Sequence, residues 1–118
     1  MLPDLKALDV DVVAVSADSE ARATSHMMEV SPGFDVAYGL TIAQMQELGL
    51  YISGARNGTD VEAPFAEPGL FVINENETLQ IIDISNVPFA RPGLEWIAKG
   101  IRFLRGPLKD SPINGTHV

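Results

Sequence analysis

Two histidines and no cysteine set the limits of the chemistry this chain can perform. Without a thiol there is no disulfide, no thiolate metal ligand and no sulfur nucleophile or redox couple. His26 falls in an expected helix and His117 lies in the final residues, so they do not form the closely spaced pair of a helical or loop metal site. Each is read as a surface residue, and no metal and no cofactor is expected. Ser16, Asp18 and His26 supply the residue types of a hydrolytic triad but no arguable triad geometry, and are read as structural. Asp18, Asp35 and Asp60 are carboxylates that could meet a divalent cation, yet nothing around them resembles a calcium-binding loop. Asn57-Gly-Thr, Asn76-Glu-Thr and Asn114-Gly-Thr have the form of glycosylation acceptors. With no secretory leader recognisable in MLPDLKALDV, they read as ordinary turns.

The elements that would position any site follow from composition and periodicity. At 118 residues, 46% hydrophobic and 20% charged, the chain fits one domain over residues 1–106 with a frayed tail over 107–118. A net charge of -8 repels phosphate backbones and anionic lipid, so neither nucleic acid nor membrane is an expected partner. No apolar run approaches the roughly 20 residues of a membrane-spanning helix, and we expect a cytoplasmic protein.

Val10 to Ser16 (VDVVAVS) is a β-branched run of the kind that forms a strand covered on both faces, which implies an α/β sheet. Asp18 or Ser19 can cap a helix running to Met28 or Glu29 before Pro32-Gly33. Thr41-Ile-Ala-Gln44 has capping-box spacing and opens a second helix with Ile42, Met45 and Leu48 on its core face, ending at Gly49. Ser53 to Gly69 has no sustained period and reads as a long surface loop. Leu70 to Ile73 and Leu79 to Ser85 flank the polar turn Asn74-Glu-Asn-Glu77 and predict an antiparallel hairpin. A last helix follows Pro92, which suits a first helical turn, and stops at Gly106-Pro107. Its core face is Leu94, Ile97, Ile101 and Leu104, with Trp96 and Phe103 off that stripe.

This order, together with Leu5-Lys-Ala-Leu-Asp-Val-Asp-Val-Val-Ala-Val-Ser-Ala-Asp18, Gly69-Leu-Phe-Val-Ile-Asn74 and Asn86-Val-Pro-Phe-Ala-Arg91, resembles the C-terminal two-thirds of a peroxiredoxin. These are proteins of the alkyl hydroperoxide reductase and thiol-specific antioxidant family. The resemblance covers residues 2 to 105. It implies a thioredoxin-like α/β fold, a mixed sheet with a C-terminal hairpin and flanking helices, from which the first strand and most of the first helix are missing. Leu2 to Leu8 would be the last turns of that helix.

Family members reduce hydroperoxides with a cysteine in a Pro-x-x-x-Thr-x-x-Cys setting, and no such segment occurs here. The resemblance therefore implies no catalytic residue and no thiol peroxidase activity for this chain by itself. Pro68 stands where the family commonly has an arginine before the Gly-Leu-Phe strand, and Arg91 matches a second arginine ahead of the last helix. These two are the expected remnant of an active site. Arg91 equally suits a surface pair with Asp83 or Glu95. Pro68 suits either a cis-proline facing the site or a trans-proline ending the loop.

The missing strand would lie between the strands at Val10 to Ser16 and Leu70 to Ile73. Leaving those edges bare would orphan about four to six backbone groups at about 1–3 kcal/mol each. We therefore expect the two strands to pair directly, or a second chain to complete the sheet. The family also dimerises through the strand matching Leu79, Gln80, Ile81, Ile82, Asp83 and Ile84, although Gln80 and Asp83 oppose such an edge contact. Expected partners are thus a second copy or a thioredoxin-fold protein. The function readings are a peroxiredoxin-like protein without a peroxidatic cysteine, the C-terminal part of an active peroxidase, or a binding module using the long loop near Pro68 and Arg91.

Overall fold

In the computed structural model the described residues are 2–17, 34–54, 64–90 and 93–117. The chain is an α/β protein. Its elements are α1 (Leu2–Ala7), β1 (Val13–Val15), β2 (Asp35–Ala37), α2 (Ile42–Glu47), β3 (Ile52–Ser53), β4 (Phe65–Ala66), β5 (Gly69–Ile73), β6 (Leu79–Ile84), a 3-10 turn at Pro88–Ala90, and α3 (Leu94–Arg105). Among the described residues these strands form three separate two-stranded sheets, β1-β2, β3-β4 and β5-β6, where one mixed sheet was expected. The helix expected from Asp18 to Glu29 lies outside the described residues.

Two compact units divide the chain. One comprises Met1–Asp11, Leu70–Asp83 and Arg91–Val118. In it, α1 closes with a Schellman motif: the Val10 N–H donates to the Leu5 carbonyl at 2.9 Å and the Asp9 N–H to the Lys6 carbonyl at 2.9 Å. Asp9 supplies the left-handed residue this needs, at φ 60°. The reversal between β5 and β6 is too short for a parallel crossover, so the pair is antiparallel, as the two runs flanking the polar turn predict. Asn74 organises that turn, its side-chain oxygen accepting from the N–H groups of Asn76 at 2.9 Å and Thr78 at 3.1 Å.

Helix α3 starts at Leu94, two residues beyond the Pro92 expected in its first turn, with Gly93 as its N-cap and no side-chain cap. Glu95 early and Arg102 and Arg105 late complement its dipole. Ile101 is buried and Leu94, Ile97 and Leu104 half-buried, as the periodicity predicts, and Ala98 joins them. In α1, Leu5 is buried. The Arg105 guanidinium donates to the Leu8 carbonyl, tying the end of α3 to the chain leaving α1. Beyond Gly106 the chain is held in turns, with Leu108 N–H on the Phe103 carbonyl at 3.0 Å and Ser111 N–H on the Leu108 carbonyl at 3.0 Å, where fraying was expected.

The second unit comprises Val12–Gly69 and Ile84–Ala90. Here β1 pairs with β2 in parallel, Val13 opposite Asp35, Ala14 opposite Val36 and Val15 opposite Ala37. The expected direct pairing of the Val10–Ser16 strand with Leu70–Ile73 is not among the described sheets. Nor is β1 covered on both faces: Val13 is 61% exposed while Ala14 is half-buried, so the unbroken apolar run hides a two-sided strand. The β2 partner escapes sequence reading because only Val36, between Asp35 and Ala37, carries its signal.

Helix α2 forms where the capping box predicts. The Gln44 N–H donates to the Thr41 hydroxyl at 3.1 Å and the Thr41 N–H to the Gln44 side chain at 2.9 Å. Gly49, at φ 74°, ends it in a second Schellman motif, with the Leu50 N–H on the Met45 carbonyl at 3.0 Å. Its expected core face is only partly right. Met45 is 1% exposed, but Ile42 and Leu48 are exposed. A helix this short presents one turn to the core, so a single residue reaches it.

Two outcomes follow for stability. Met45→Ala should cost about 2–4 kcal/mol in urea denaturation and Ile42→Ala less than about 1 kcal/mol, because only the first leaves a cavity. Glu77, a non-glycine residue at φ 62°, closes the β5-β6 turn in the left-handed region, so Glu77→Gly should raise stability by up to about 1 kcal/mol.

Candidate functional site

The residues around Pro68 are assembled by backbone hydrogen bonding within the second unit. Strands β3 and β4, at the ends of what was expected to be a structureless loop, pair antiparallel with Ile52 opposite Ala66 and Ser53 opposite Phe65. The Glu67 N–H extends that ladder by donating to the Tyr51 carbonyl at 2.8 Å. Pro68 ends it, because proline has no N–H to give. Its carbonyl instead accepts from the Ser85 N–H at 3.1 Å. Pro68 is therefore the point at which the chain passes from one ladder to another. Among the described residues no peptide bond is cis, so the trans alternative for Pro68 is the observed one.

Beside it, Glu67 is 4% exposed and is the buried charged residue among those described. Sequence reasoning passed over it. Its only signal in the sequence is a carboxylate between apolar Phe65-Ala66 and Pro68-Gly69, in a segment with no sustained period. Ser85 contributes its backbone N–H to Pro68, while its hydroxyl donates to the Val87 carbonyl at 3.3 Å at the entry to the 3-10 turn. That turn closes through the Ala90 N–H on Val87 at 3.3 Å and leaves Phe89 exposed. This cluster offers a carboxylate and backbone carbonyls, and its Ser85 hydroxyl is committed to a carbonyl. It is built to hold chain geometry rather than to attack a substrate.

Of the other expected site residues, Arg91 lies outside the described residues, as do Asp18, His26, Asn57 and Asp60. Its candidate partners are placed: Asp83 is half-buried and Glu95 exposed. Asp35 is exposed on β2, His117 is exposed, and Asn76 and Asn114 sit in turns as expected. The Ser16 backbone continues the β1-β2 pairing, its N–H on the Ala37 carbonyl at 2.9 Å. In β6, Leu79 and Ile82 are exposed and the other four residues half-buried, and Gln80 accepts from the Asn74 side chain at 3.0 Å. Among the described residues no group of three or more His, Asp or Glu is arranged to hold a metal ion, and no helix is long and apolar enough to cross a membrane.

No model of a known protein family matches this sequence, and a search of curated proteins finds no match.

Burial of Glu67 makes it the residue on which this junction should depend. Glu67→Ala is expected to lower stability by about 1–3 kcal/mol, against less than about 0.5 kcal/mol for exposed Glu47→Ala, both read from urea denaturation.

Proposed function

We propose that this is a peroxiredoxin-like protein of thioredoxin-like fold that carries no thiol peroxidase chemistry of its own and acts through association. The observation that carries the second half is the absence of cysteine from all 118 residues. A peroxide oxygen must be attacked by a thiolate in that family, and neither Glu67 nor Ser85 can replace one. Support for the first half comes from the hairpin β5-β6, entered through Pro68 and followed by a short turn and the helix α3, in the order in which the family carries its C-terminal elements. The chain then corresponds to the family's part beyond its peroxidatic segment.

Association would use the edge of β6, where Leu79 to Ile84 offer backbone groups and exposed Leu79 and Ile82 to a second copy or a thioredoxin-fold partner. The hydrogen bond between Asn74 and Gln80 draws one of the two polar side chains of this strand into the turn, which lessens its opposition to such pairing.

Purified protein with dithiothreitol should consume hydrogen peroxide no faster than dithiothreitol alone. Turnover above that background would overturn the reading.

A further inference from the structure

The outward side of α3 is the largest unexplained feature of the molecule. Trp96 is 73% exposed and Phe103 is 59% exposed. They are two helical turns apart, so they share one face, roughly 180° around the helix from buried Ala98 and Ile101. An aromatic pair this open on a helix already anchored by its other face marks a contact surface.

Between them lies Gly100. Glycine inside a helix is unfavourable relative to alanine. A Cβ at Gly100 would meet nothing within 4 Å, so packing within the described chain does not account for it. The bare backbone there leaves room for something that approaches from outside, and a second helix can come closest where the facing residue is smallest.

We propose that this face docks a second copy of the chain, with the two α3 helices antiparallel about a two-fold axis beside Gly100. In that arrangement Trp96 of each copy lies over Phe103 of the other, because the two sit four residues before and three after the glycine. Glu95 of each copy then falls near Arg102 of the other on the same flank. Two-fold symmetry forms both contacts twice. A parallel pairing would instead carry Glu95 and Arg102 of the two copies to opposite flanks, and neither contact would form. The one unfavourable meeting is between the two Lys99 residues near the axis, and each ammonium has a place over its own Trp96 ring, 5.1 Å from the centroid. The other occupant with suitable chemistry is an anionic lipid surface, which the net charge of -8 disfavours.

Two Trp and two Phe at these exposures provide about 600 Å² of aromatic area. That falls short of the roughly 1,200 Å² of a stable interface, so the dimer is a reversible one. This interface is distinct from the β6 edge and does not rest on the peroxiredoxin-like reading.

Sedimentation velocity on the full chain, from roughly 5 to 500 μM, tests it by mass action. The wild type is expected to shift from monomer to dimer across the series. Gly100→Met, which favours the helix and whose Cβ meets nothing within 4 Å, should raise the dissociation constant at least about tenfold without lowering the melting temperature of dilute protein. Glu95→Arg should weaken the dimer, and Glu95→Arg combined with Arg102→Glu should restore it to within about threefold of wild type, which a merely structural role for these residues would not do. A protein monomeric throughout the series overturns the proposal. So does a dimer that survives Gly100→Met but is lost in Ile82→Lys, which would place the contact at the β6 edge. Monomeric protein that binds phosphatidylserine vesicles through Trp96 also overturns it, naming lipid as the occupant.

Discussion

A β-strand with one partner satisfies half of its backbone hydrogen bonds in the sheet and leaves the other half to whatever lies beyond its free edge. Each described strand of this protein is in that position, because its sheets are pairs. Isolated two-stranded pairs are marginal in water unless something packs on them. Among the described residues, stability is therefore carried by the few positions where helices place apolar side chains out of water: Leu5, Ala98 and Ile101 in one unit, Met45 in the other. The same arrangement explains why Val13 and Val15 remain exposed despite their β-branched chemistry, since a narrow pair has too little area to be covered on both sides.

The Glu67-Pro68 junction shows how such short ladders are joined. Glu67 uses its N–H to complete the β3-β4 pairing, and Pro68, with no N–H, ends that pairing while its carbonyl accepts the Ser85 N–H. Burial of the Glu67 carboxylate at this point is the most unusual placement of a charged group among the described residues. Helix α3 is built on the opposite plan. Its inner face is conventionally apolar, and its outer face carries exposed aromatics among cations.

Legibility in the sequence followed the range of the interactions involved. The capping box at Thr41, the turn at Asn74, the stop at Gly106 and the inner stripe of α3 rest on contacts between near neighbours in the chain, and each is found where the pattern places it. The strands at Asp35–Ala37, Ile52–Ser53 and Phe65–Ala66 were missed because two or three residues are too few to show a period. The site was legible only in part: Pro68 stands out by its type, while Glu67 looks like one more surface carboxylate until the pairing around it is known.

By itself, then, the sequence settled what depends on residue identity and local spacing. It excluded thiol chemistry through the absence of cysteine, and it placed the capped helix α2, the inner stripe of α3 and the hairpin. Tertiary structure alone decided which strands pair, that β1 takes β2 as its parallel neighbour, that Glu67 is buried, and that Ile42 and Leu48 face outward while Met45 does not. The physical reason is that strand pairing and burial are set by residues distant in the chain, whose partners no local pattern names.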